Sequence, residues 1–266
     1  MKGRLSKLGR LNLDEYRVLR REIRSPKDFD RFQIPNYVLP SILTQKFVES
    51  VIKRFRMYKP ERIARIWKEK KTLNIRLPPV LRLKLLLKGL GYSKSEIANI
   101  LKNPHEAGDL EDLVWSAVTK DFIYSPIAVK FQTVKGKVGE RLIERFLSEI
   151  DVDFKTESEL NTKKTPDFLI SEKVNILGFE AKWIESKFMF GDFRTHSLYW
   201  RRQYYHYFKE FGKGIVVYWC WHLDIPFALG GEVDMSVHFK FGRLKREDFL
   251  KTLEKVLDDF ERGRRI

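Results

Sequence analysis

The chain has 266 residues, 43% of them hydrophobic and 14% aromatic, which is enough for a packed core and argues against bulk disorder. Its single cysteine, Cys220, excludes an intrachain disulfide and any cysteine-based zinc site. The formal charge is +16, no run is apolar for the length of a membrane helix, and MKGRLSKLGRLNLDEY lacks the apolar stretch of a secretory signal, so the expected location is cytoplasmic.

Residues 1–124 read as helices. Asp14 starts DEYRVLRREI, with Tyr16, Leu19 and Ile23 on one face. Ser41 is a candidate cap for SILTQKFVESVIKRFRMY, and Pro60 suits the first turn of PERIARIWKEKKT. Pro78 and Pro79 precede VLRLKLLLKGLG, which ends on Gly91. Ser93 and Glu96 then form a capping box at the head of SKSEIANILKN, which Pro104 stops. The pair around GLGYSKSEIANIL has the layout of a helix-turn-helix. The next helix, DLEDLVWSAVTKD, opens with Asp109, Glu111 and Asp112 and is ill-suited to approach phosphates.

The excess positive charge sits in this part. Residues 1–90 hold 24 Lys and Arg against 8 Asp and Glu, whereas residues 91–266 hold 28 of each. That asymmetry points to an anionic partner, nucleic acid first, because neutralised phosphates release counterions. Within it, Lys53, Arg54, Arg56, Lys59, Arg62, Arg65, Lys68, Arg82, Lys84 and Lys88 are the candidate phosphate contacts.

From Ser125-Pro126 onward, residues 125–266, the pattern becomes mixed α/β. VKGKVGERLIERFLSEI is an amphipathic helix. VDFKTESEL, TPDFLI and GFEAKWIESK read as strands, SLYWRRQYYHYFKEF as a helix closed by Gly212 and Gly214, and IVVYWCW as a buried strand. VDMSVHFKF and REDFLKTLEKVLDDFERG complete the chain as a strand and a helix. Helix, three strands, helix, strand implies an antiparallel start and a helical crossover to a parallel neighbour.

An acid on one strand followed by Glu-x-Lys on the next suits phosphodiester hydrolysis. Carboxylates from adjacent strands can hold magnesium or manganese, and a Lys two residues after the Glu lies on the same face of its strand. Its ammonium can orient a water and offset charge on the phosphate. Asp167 is the only acid of TPDFLI, but Glu-x-Lys occurs twice, at Glu180/Lys182 and Glu185/Lys187. A hairpin turn near Glu172-Lys173 brings Asp167 toward Glu180. A turn centred near Ile176 brings it opposite Glu185. Periodicity alone favours Glu180. Glu140, on the preceding helix, can add a carboxylate. Gln203 and Tyr207, spaced i, i+4, can face the same water or phosphate.

Glu140, Asp167, Glu-x-Lys and Gln203-x-x-x-Tyr207 together resemble the PD-(D/E)xK nuclease superfamily. GERLIERFL is similar to a helix of archaeal Holliday-junction resolvases, and the Gln-to-Tyr spacing to that of RecB-type exonucleases. TPD at 165–167, WIESKFMFGD at 183–192, and Tyr199, Gln203, Phe211-Gly212, Gly214 and Tyr218-Trp219 closely resemble the TPD-motif family of predicted nucleases. The resemblance implies a PD-(D/E)xK nuclease fold, a mixed sheet flanked by helices, behind a helix-turn-helix-like all-α region. It implies Asp167 and Glu185 as metal ligands, Lys187 as the residue that orients water, and Glu140 and Gln203 as helpers, because WIESK belongs to the recurrent string. A metal-dependent nuclease acting on DNA or structured nucleic acid follows, with a homodimer if it cuts two strands as resolvases do. A non-catalytic nucleic-acid-binding or scaffold protein on the same fold is the alternative.

Overall fold

The computed structural model describes residues 10–35, 37–160, 164–176 and 179–223. The late strand and final helix expected after residue 224 lie outside them. The chain forms two compact units. One combines residues 1–43 with 134–266, and the other is 44–133. This differs from the division at 124/125 expected from the pattern change at Ser125-Pro126, because the described residues between 10 and 43 join the sheet unit rather than the basic helices.

Among the described residues, the larger sheet of this unit has four strands: β2 Phe154–Thr156, β3 Phe168–Ile176, β4 Phe179–Lys187 and β5 Gly214–Tyr218, in that order across the sheet. β2–β3 and β3–β4 are antiparallel, and β4–β5 is parallel. A parallel neighbour needs a crossover, supplied by α8 Phe193–Tyr199, a π-helical turn Trp200–Tyr204 and α9 Tyr205–Phe211. Strand alternation gives the sheet two apolar faces. Ile143 and Leu147 of α7 (Pro126–Glu149) cover Phe168, Ile170, Ile184, Ile215 and Val217 on one. Tyr204 and Tyr207 cover Trp183, Val216 and Tyr218 on the other. A strand covered on both sides reads as an unbroken apolar run, which is why GIVVY lacks alternation. Gly214 is fixed by close approach, since a Cβ there would sit 2.0 Å from the Trp183 ring.

The N-terminal segment forms a third core. β1 (Arg10–Leu11) pairs in parallel with β6 (His222–Leu223), and α1 (Leu13–Glu22) follows, capped by Asn12 and Glu15. The Tyr16, Leu19 and Ile23 face packs with Val38, Leu39 and Ile42 around Phe190, Cys220, Trp221 and Leu223. α2 spans Val38–Phe55, so Ser41 lies inside it and is not the cap expected. Its hydroxyl instead accepts the Phe190 N–H at 2.7 Å.

The second unit is all-helical: the end of α2, α3 Pro60–Lys70, α4 Pro79–Gly89, α5 Lys94–Lys102, α6 Glu111–Lys120 and the first turns of α7. α4 is apolar nearly all round, which places it at the centre. Leu83 and Leu87 pack with Ile97, Ile100, Val114 and Val118, while Leu85 and Leu86 pack with Val51, Ile63 and Leu77. Asp121 caps α4 through the Val80 N–H at 3.0 Å. The Ser93–Glu96 capping box forms as read from the sequence.

Candidate active site

The register of the β3–β4 hairpin builds the site. Phe168 pairs with Ile184, so the next rung sets Asp167 against Glu185. The Asp167 N–H donates to Glu185 Oε2 at 3.4 Å, and the Ser186 N–H donates to Asp167 Oδ2 at 2.7 Å. Lys187 Nζ forms an ion pair with Glu185 Oε1. Near the turn the register is different: Ile176 pairs with Phe179 and Val174 with Ala181. Carried back unchanged, it would set Asp167 against Phe188. A shift between Leu169 and Val174 takes up the difference with extra residues in β3.

This arrangement is electrostatically costly. Glu185 is 2% exposed. Burial holds the Asp167 carboxyl well above the ordinary carboxylate range, and the charges of Glu185 and Glu140 push it further the same way. Burial also raises Glu185, against the pull of Lys187. For Lys187 burial alone lowers the pKa, but Glu185 and Asp167 outweigh it and the ammonium is held above its usual value. The Lys187 ammonium also lies 4.9 Å above the centre of the Tyr199 ring, which supports its charge from below.

Neighbouring elements complete the surroundings. Glu140 pairs with Lys137 at 2.7 Å, and its charge reaches Asp167. Tyr207 packs its ring edge-on to Trp183, and its hydroxyl is raised first by burial and then by Glu185 and Asp167. Gln203 lies in the π-turn. Its Oε1 is covered and, among the described residues, has no hydrogen-bond partner. Gly139 of α7 lets the helix approach β4: a Cβ there would stand 2.5 Å from Trp219 Nε1 and 2.8 Å from Ser186 Oγ. Trp219 Nε1 in turn donates to Ser186 Oγ at 2.9 Å. Glu157, not singled out from the sequence, belongs to the same surroundings. Its N–H donates to the Asp167 carbonyl at 3.1 Å, and its charge acts on Glu185 and Tyr207. The acid-rich TESEL was the only sign of it.

The other Glu-x-Lys lies apart from this group. Glu180 is exposed and pairs in register with Asn175 beside the turn, while Lys182 Nζ donates to the Ser171 carbonyl at 2.7 Å. The basic candidates all lie in the helical unit. Arg54 bonds the Ser50 carbonyl at 3.2 Å and Arg82 the Leu73 carbonyl at 3.0 Å. Lys53, Lys59, Arg62, Arg65 and Lys68 are exposed on the end of α2 and along α3. Arg56, Lys84 and Lys88 line a groove.

Among the described residues no three His, Cys, Asp or Glu side chains converge as a ready-made metal cage. The pair Asp167 and Glu185 nevertheless suits a hard divalent cation. Magnesium keeps several waters and commonly takes one or two carboxylates together with substrate phosphate. A buried and a half-buried acid whose charges repel would be relieved by such an ion.

A family model described as "Protein of unknown function TPD sequence-motif" matches residues 106–229. Curated relatives named "CDAN1-interacting nuclease 1" are similar over part of the chain. The Homo sapiens relative is 35% identical over 132 residues, 48% of this chain and 47% of its own. The Xenopus laevis relative is 28% identical over 166 residues, 60% of this chain and 52% of its own. The Danio rerio relative is 30% identical over 132 residues, 48% of this chain and 44% of its own. The chain thus spans about half the length of the curated relatives it matches. No solved structure matches it.

Proposed function

We propose, from the premise that this chain belongs to the TPD-motif family through residues 106–229, that it is a metal-dependent nuclease with a PD-(D/E)xK site. The observation that carries this is the pairing of Asp167 with Glu185 at one rung of the β3–β4 hairpin, with Lys187, two residues on, in an ion pair with Glu185. The nuclease name of the curated relatives supports it. Asp167 and Glu185 would hold magnesium or manganese, which when bound supplies Lewis-acid stabilisation of the phosphate and lowers the pKa of a water. Lys187, steadied by Tyr199 and Glu185, orients the attacking water and offsets charge gained by the phosphate. Gln203 Oε1, which has no hydrogen-bond partner among the described residues, is available to accept a hydrogen bond from that water or the substrate. Glu140 adds a second layer of negative charge toward the ion.

The test uses Glu185→Gln, Asp167→Asn and Glu180→Gln in the full chain, with a panel of duplex, branched and single-stranded DNA and RNA. With magnesium or manganese present, the first two variants should lose cleavage by at least about a thousandfold and keep binding. Glu180→Gln should cleave like the parent. Cleavage surviving in Asp167→Asn, or lost in Glu180→Gln, would overturn the assignment. Binding without cleavage by the parent across the panel would replace it with a non-catalytic nucleic-acid-binding role.

A further inference from the structure

The helical unit contains a groove of about 660 Å³. Its walls are the apolar side chains of Leu85, Ile97, Ala98 and Leu101, with the aromatics Phe55, Tyr58 and Tyr124. Five cations line it, Arg56, Lys84, Lys88, Lys94 and Lys102, and no carboxylate does. Among the described residues none of the five is in an ion pair. An apolar trough with unpaired positive charge along it is complementary to an anion that also has apolar faces.

The spacing of the cations narrows the choice. Lys84 and Lys88 are i, i+4 on α4, and Lys94, Ala98 and Lys102 follow one another at the same interval on α5. Four residues of helix advance about 6 Å, close to the separation of successive phosphates in an extended nucleic-acid strand. A duplex offers phosphates but keeps its base faces stacked inside, so it would leave the apolar floor unused. An unpaired strand offers both, and aromatic walls give its bases a stacking surface. We propose that this groove binds unpaired nucleotides, so that the substrate of the nuclease site is nucleic acid with a single-stranded segment. This rests on the nuclease reading only for the word substrate; the binding stands apart from it.

The experiment is fluorescence anisotropy of the full-length protein with a fluorescein-labelled twelve-nucleotide oligothymidylate and with a twelve-base-pair duplex, in EDTA. The single strand should bind more tightly than the duplex. Ala98→Trp fills the groove from an exposed helix position and should weaken single-strand binding about tenfold. Lys94→Ala/Lys102→Ala leaves the floor intact, should weaken it similarly, and should reduce the salt slope by about two. Thermal melts should be unchanged in both. Equal affinity for strand and duplex, or undiminished strand binding in either folded variant, would overturn the proposal. So would capture of a glutamate-rich amphipathic peptide, but not the oligonucleotide, with loss in Ala98→Trp; that outcome would make the groove a protein-docking site. If the strand binds as expected but nothing is cleaved with magnesium or manganese, the groove assignment holds and the nuclease assignment fails.

Discussion

Asp167, half-buried, and His196, buried, are two titratable groups that desolvation shifts in opposite directions, Asp167 upward and His196 downward. Asp167 is ionised only against burial and against two like charges, so its charge destabilises the fold. Asp167→Asn keeps an oxygen for the Ser186 N–H and removes that charge. It should melt higher than the parent in EDTA, by roughly 1 kcal/mol or more, and should lose any thermal shift that magnesium or manganese gives the parent. His196 bonds Tyr218 Oη at 2.9 Å through Nδ1, and burial pulls its pKa from 6.5 down to about 4. The unfolded chain therefore binds its proton first as pH falls. The resulting stability is complete above about pH 6.5 and is lost between that and pH 4, by up to about 3 kcal/mol. His196→Gln, which cannot titrate there, should flatten that part of the unfolding free energy measured in denaturant against pH.

Asp167 and its Glu-x-Lys partner show what could and could not be read ahead at the scale of elements. Strand order, the crossover helix and the pairing of Asp167 with a Glu-x-Lys were all legible, because apolar runs and alternation carry them. Periodicity could not choose between Glu180 and Glu185, because that choice turns on extra residues in β3 between Leu169 and Val174; only the resemblance of WIESK to a recurrent string pointed to Glu185. Ser171 and Glu172, in that stretch, look like ordinary solvent-facing strand residues. The π-turn of Trp200–Tyr204 was hidden for a related reason: aromatics crowd every face of SLYWRRQYYHYFKEF, so an added residue leaves no break in the pattern. Gly139 was also invisible as a constraint, since its need arises from contacts far away in sequence. Gly139→Ala should force α7 off β4 at Ser186 and Trp219, cost about 1–3 kcal/mol as overpacking does, and lower cleavage more than binding. Melting curves and turnover on the same preparation would check both halves.

At the scale of the whole molecule, the basic helices are an insert in the sheet unit rather than a separate leading domain. Residues 10–43 supply Leu11, Tyr16, Leu19, Ile23, Ile34, Val38, Leu39 and Ile42 to the core around Phe190 and Trp221. The pattern change at Ser125-Pro126 suggested a cut at 124/125, because the residues before it all read as helices and gave no sign that the first of them belong with the sheet. A fragment 125–266 would expose that core. At about 1.5–3 kcal/mol for each large buried side chain, the loss exceeds the whole stability of an ordinary domain. Circular dichroism should show a cooperative melt for the full chain and none for the fragment.

The pairing of β1 with β6 also sets an order of events during synthesis. Arg10 and Leu11 are made early, but their partners His222 and Leu223 come more than two hundred residues later. The inserted unit, 44–133, has its whole core in hand long before then. As the chain leaves the ribosome, the basic helices can fold first, while the amphipathic face of α1 waits with Leu19 and Ile23 uncovered. The sheet unit closes only when both ends of its discontinuous chain meet, so its folding carries the entropy of a long loop. Once the insert has folded, that loop is shortened to the span between its two ends.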